Sequence, residues 1–143
     1  MPQATGTYTF EKKSIPQVDL ITVRVIQGDV NKVWKGDIEG KSSVLTVETV
    51  TQLPGSAGYV AVEVFDGTID GHKGSFACLQ RGIVNRDVET IDAVIVPDSG
   101  LDGLQNITGT FRITNDEGTM RYVLDYDFME PHPDADVPVE EGK

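Results

Sequence analysis

Apolar and polar residues alternate with a period of two along most of the chain, which marks strands with one buried face. Ile107, Gly109, Phe111 and Ile113 alternate with Thr108, Thr110 and Arg112. Met120, Tyr122, Leu124, Tyr126 and Phe128 alternate with Arg121, Val123, Asp125 and Asp127. Ile21, Val23 and Val25 alternate with Thr22 and Arg24, and Val44–Thr51 and Val60–Phe65 are rich in β-branched residues. No stretch of ten or more residues shows a 3.6-residue period, so no substantial helix is expected.

Turn-forming residues divide these runs at Gly28-Asp29, Gly40-Lys41, Pro54-Gly55, Asp70-Gly71, Asp98-Ser99-Gly100 and Glu117-Gly118. Ile69–Phe76 reads as a hairpin whose Asp70-Gly71 pair supplies the positive φ angles of a type I′ turn. The pattern predicts an all-β fold of about eight or nine antiparallel strands, closed as a barrel or folded as a sandwich. Gly6, Gly36, Gly67 and Gly109 sit inside strand-like runs. Strongly coiled strands of a small barrel need such bending points, which favours a single closed antiparallel β-barrel of about eight strands.

The barrel is expected over residues 1–129. Residues 130–143, EPHPDADVPVEEGK, hold three prolines and five acids and read as a flexible acidic tail. The whole chain of 143 residues has a net charge of −11. So acidic a surface repels phosphate backbones and anionic lipid, which excludes nucleic acid and membranes as expected partners. The opening MPQATGTYTF shows no basic and apolar leader pattern, so a cytoplasmic location is expected.

Several phrases, in type and order, resemble the DUF3224 family of small bacterial proteins of unassigned function. They are TGTYTF, WKGDIEG, GYVAVEVFDGTIDGHKGSF, LDGLQNITGTFRI and YVLDYDF. The resemblance runs from about residue 4 to residue 129. It implies a closed barrel similar to that of allene oxide cyclase, in a small protein without a cofactor.

Familiar motifs do not survive inspection. Gly36–Ser42 looks like a phosphate-binding loop but is one residue short between its glycines and lies between strands. Asp66–Gly71 and Asp98–Gly103 imitate the start of a calcium loop, yet the twelfth positions hold Ala77 and Gly109 in place of glutamate. With one cysteine and two histidines, His72 and His132, the chain cannot assemble a structural zinc site from N and S ligands, and no metal is expected.

The candidate catalytic residue is Glu63, which shares a face with Tyr59, Ala61, Phe65, Gly67 and Ile69. Inside an apolar lumen it would be a neutral acid or a poised base; the alternative is a solvated glutamate, or one paired with an interior Arg or Gln. Gln80 lies on the next strand of the hairpin with Phe76 and Cys78 on its face, within reach of Glu63. Tyr59, Phe65, Phe76, Cys78, Gln80, Tyr122 and Tyr126 form the candidate ligand-binding set; the same side chains also make a good core.

The leading expectation is a barrel that binds a small apolar ligand. An isomerase or cyclase of the allene oxide cyclase type is one alternative, and a structural or interaction protein with no ligand is the other. Whether the chain is an enzyme stays open. The opposite face of the Glu63 strand, Val60, Val62 and Val64, is apolar enough for a subunit contact, so a homo-oligomer, either a dimer or a small ring, is expected.

Overall fold

Residue alternation decides most of the secondary structure. The structure, a computed structural model, describes residues 2–133, and every regular element in them is a strand. In chain order these are β1 (Gln3–Leu20), β2 (Val23–Gly36), β3 (Ile38–Thr51), β4 (Ala57–Ile69) and β5 (His72–Asn85). They continue with β6 (Val88–Ile95), β7 (Leu101–Asp102), β8 (Ile107–Asp116) and β9 (Thr119–Phe128). Each strand pairs antiparallel with its neighbours in the ring β1–β2–β3–β4–β5–β6–β8–β9, and β9 pairs back onto β1. The result is a closed eight-stranded barrel, with β7 added at the edge of β5. Residues 134–143, most of the expected tail, lie outside the described residues.

The Asp70-Gly71 turn forms as the sequence requires, with φ of 48° and 83°. Two expected turns are instead strand. Gly28-Asp29 lies inside β2 and Gly40-Lys41 inside β3. At Gly28 the missing side chain leaves room for Thr46, whose Oγ1 stands 2.7 Å from where a Cβ would be. Conversely Ile21, expected in a strand, occupies the tip of the β1–β2 hairpin with φ 47° and is fully exposed. Leu20 pairs with Val23, so the ladder itself leaves only Ile21 and Thr22 to turn the chain. In β1 the register shifts between Ile15 and Gln17, where Pro16 has no N–H to offer the ladder.

The two ends of the barrel differ. One is sealed and packed. Trp34 makes ring contacts with Tyr8, Phe65, Phe111 and Tyr122 at centroid distances of 4.9–6.2 Å. Leu104, in the β7–β8 loop, and Ile107 are fully buried at that end. The wall there is drawn in by glycines. Gly6 faces Gly36 across β1 and β2, and a Cβ on Gly6 would stand 2.1 Å from the Lys35 carbonyl oxygen and 2.6 Å from the Tyr122 hydroxyl. That hydroxyl accepts a hydrogen bond from the Ile38 N–H and donates one to the Lys35 carbonyl, tying β9 to the β2–β3 corner. The other end opens toward solvent between β1–β6 and the tip of the β8–β9 hairpin.

The glycine contact gives a direct test. Gly6→Ala forces backbone apart at the sealed end and lowers the unfolding free energy by about 1–3 kcal/mol in urea denaturation. A variant as stable as the parent would refute the close approach.

Candidate functional site

Strand pleating places Val30, Lys32 and Trp34 of β2 in succession on the inner face, so a lysine is carried into the lumen between two apolar residues. Lys32 is 4% exposed and Glu63, from β4, is 1% exposed. The Lys32 Nζ donates to Glu63 Oε1 at 2.8 Å and to Gln80 Oε1, from β5, at 2.9 Å. It also sits 4.5 Å from the centre of the Tyr8 ring on β1, a cation–π contact. The Gln80 Nε2 donates in turn to the Tyr59 hydroxyl at 2.6 Å. The ring of Tyr59 lies against Gly82, where a Cβ would come within 2.0 Å of it. Four strands are thereby tied together across the lumen. Glu63 Oε2 accepts no hydrogen bond from the described residues.

This polar layer divides the interior. On the sealed side lie Phe65, Phe76, Cys78, Tyr122 and Tyr126, all buried in the main core. On the open side is a cup of about 260 Å³. Its walls are apolar, from Phe10, Val30, Val44, Val84, Ile91 and Met120, and its floor carries Tyr8, Lys32, Tyr59 and Gln80. At the rim the Lys12 ammonium pairs with Glu48, and Glu89 and Asn115 also line the cup.

Of the residues the sequence singled out, Tyr59 and Gln80 line this cup. Glu63 faces inward, pairs with Lys32, and is absent from the cup lining. Phe65, Phe76, Cys78, Tyr122 and Tyr126 belong to the packed half. Glu63 stands opposite Cys78 and one inward position along from Ala61, the partner of Gln80. Glu63 and Gln80 thus meet through the same ammonium. Lys32 and Tyr8 were missed, although the alternation Val30, Lys32, Trp34 carried the signal.

Burial acts on every phenol. The ordinary value is 10.0, and desolvation first, then nearby carboxylates, push Tyr59, Tyr122 and Tyr126 up to about 12. Tyr8 is pushed up by burial and by Tyr59, Glu63 and Glu89. Burial likewise pushes up the Cys78 thiol, which makes it a poor nucleophile. The Tyr59 hydroxyl oxygen accepts from Gln80, so its own proton is available to the cup. Tyr8 and Tyr59 are therefore neutral phenols at the floor, able to donate a hydrogen bond.

The family profile for DUF3224, described as a protein of unknown function, matches residues 4–126. The chain belongs to the DUF3224 family. A crystal structure of a DUF3224 protein of unknown function from Shewanella oneidensis MR-1 superposes with a TM-score of 0.84 at 26% sequence identity. The match covers 91% of this chain and 99% of that one. Among curated proteins none matches the chain.

In this DUF3224 barrel no three His, Cys, Asp or Glu side chains among the described residues converge as a metal centre requires. No helix among them is long and apolar enough to cross a membrane. The chemistry of the interior lies in the Lys32 layer. Lys32→Met strands the Glu63 carboxylate and should cost about 3–5 kcal/mol of stability, whereas Lys32→Met with Glu63→Gln should recover most of it. Urea denaturation of the three proteins reads this, and a double variant as unstable as the single one would refute the pairing.

The tyrosines give a pH test. The unfolded chain ionises its phenols near 10, before the native barrel does, so stability is intact below pH 10 and falls as pH rises toward 12. Phenolate absorbance should rise together with loss of the β-sheet circular dichroism. A tyrosine ionising near 10 in the folded protein would contradict the burial.

Proposed function

We propose that this DUF3224 protein binds a small, electrically neutral and largely apolar molecule in the open cup, with a carbonyl or hydroxyl group turned to the floor. The observation that carries the reading is the cup itself, with apolar walls above a floor bearing the Tyr59 hydroxyl. A cavity of 150 Å³ holds benzene, so 260 Å³ accommodates roughly ten to twelve heavy atoms. Charge selects against anions. The Lys32 ammonium is balanced by Glu63 and the Lys12 ammonium by Glu48, which leaves Glu89 as the unbalanced charge of the lining. A carboxylate entering the cup would lose its hydration and meet no free cation.

A cyclase-type activity is the second reading. It rests on the resemblance to the allene oxide cyclase barrel and on chemistry that needs little beyond a shaped apolar cavity and a hydrogen-bond donor. Tyr59 supplies such a donor at the cup, and Glu63 touches the same network through Lys32. In a turnover assay Glu63→Gln would have to lower the rate for Glu63 to be part of the chemistry.

The binding test uses matched probes. Calorimetry with medium-chain ketones, alcohols and carboxylates of equal length should show saturable binding of the neutral compounds and weak or no binding of the acids. Tyr59→Phe should weaken the ketone about tenfold, the worth of one hydrogen bond. Val44→Trp should fill the cup and abolish binding. No saturable binding of any probe, or preference for the acids, would overturn the reading.

A further inference from the structure

The outer faces of β3, β4, β5 and β6 form one continuous apolar wall. Cross-strand register sets Leu45, Val62, Leu79 and Val94 in a single row, with Val47 and Val60 in the row beside it and Val64 beyond. These side chains are 42–66% exposed. The charged residues within the two main rows are Arg81 and Asp92, and they neutralise each other at 3.1 Å. Polar residues border the wall on both sides: Gln27, Asp29 and Asn31 of β2, and Thr110 and Arg112 of β8. An apolar centre within a polar border is the anatomy of a protein interface.

We infer that this wall is covered by a second copy of the chain, giving a two-fold dimer. Three observations point to that occupant. The first is area. Seven such side chains, each about half exposed, present on the order of 600 Å², at the top of the ~300–600 Å² range of a typical monomer's largest patch and approaching the ~800 Å² per partner of a standard interface. The second is charge. Two chains of net charge −11 repel each other over most of their surfaces, and on this wall no unbalanced acid of one copy is set against the other. The third is shape. A groove of about 690 Å³ hollows the wall across β3–β8. The outside of a twisted barrel is a saddle, hollow along the axis and convex around it. One saddle seats on another turned about a right angle to it, so the surface is self-complementary, as a two-fold contact demands. Burying the wall leaves the cup open, because the two lie on opposite faces of the same strands.

Sedimentation equilibrium on the full chain over a wide concentration range tests this. The expected mass is twice 15.5 kDa, falling to one chain on dilution. Val62→Glu and Leu79→Glu, at the centre of the wall, should each raise the dissociation constant at least about 100-fold while the circular dichroism stays that of a β-barrel. Val88→Glu, an exposed apolar position outside the wall, should leave the dimer intact. Should Val62→Glu fail to fold, the milder Val60→Thr with Val62→Thr gives the same reading. A single chain up to ~1 mM would overturn the dimer. A dimer indifferent to the wall substitutions, or one broken equally by Val88→Glu, would overturn its location. A mass of three or more chains would overturn the two-fold form.

Discussion

One ammonium group holds the interior of this barrel in register. Lys32 reaches from β2 across the lumen to Glu63 on β4 and Gln80 on β5, over the ring of Tyr8 on β1. In a low-dielectric interior such a cluster holds only while its partners are present, since either charge alone would be buried unpaired. Those contacts fix four inward positions at one height in the barrel. A slip of one residue in any of the four strands would turn its polar side chain outward and leave the others stranded. The layer therefore specifies an arrangement as well as adding to stability.

Everything above and below the layer follows from that division. On the sealed side the lumen can be filled with aromatic rings because glycines at Gly6 and Gly36 bring backbone against backbone and Tyr122 fastens the corner with its hydroxyl. On the open side the same inward faces carry smaller residues such as Val30, Val44 and Ala61, and space remains. Tyr59 belongs to both regions. Its ring lies in the hollow left by Gly82, while its hydroxyl joins the polar layer through Gln80. Its proton is thereby directed by the layer to the cup.

Charge is distributed with equal economy. Inside, the lysines at Lys32 and Lys12 each meet a glutamate, so the cup offers little to an anion. Outside, the acidic surface gives way over β3–β6 to aliphatic side chains. The DUF3224 relative from Shewanella oneidensis MR-1 shares the architecture at 26% identity, which carries the fold between the two proteins. What each chain places in its cup and on its wall is a matter of its own residues.

Period-two alternation was enough to establish an all-β chain, and its glycines within strands were enough to favour a closed barrel. Asp70-Gly71 named its own turn because only certain residues take positive φ without cost. That Tyr59, Ala61, Glu63, Phe65 and Ile69 share one face was equally legible, since a pleated strand sorts its side chains by parity, but only the closed sheet turned that face inward. Parity does not say how far along the barrel axis each residue sits. That depends on the stagger between neighbouring strands, set by ladders such as Lys32 to Ser42 and Ala61 to Gln80, which join residues distant in sequence. Phe65 and Tyr59 thus looked alike in the sequence, though one packs in the sealed core and the other lines the cup. The Gly28 strand position was hidden because a long ladder overrode local turn preference, and the Ile21 tip because pairing of Leu20 with Val23 overrode local strand preference. The sequence by itself determined which residues of a strand share a face. Only the closure of the sheet decided that Lys32 meets Glu63, because a salt bridge across a lumen exists only once the strands have gone all the way round.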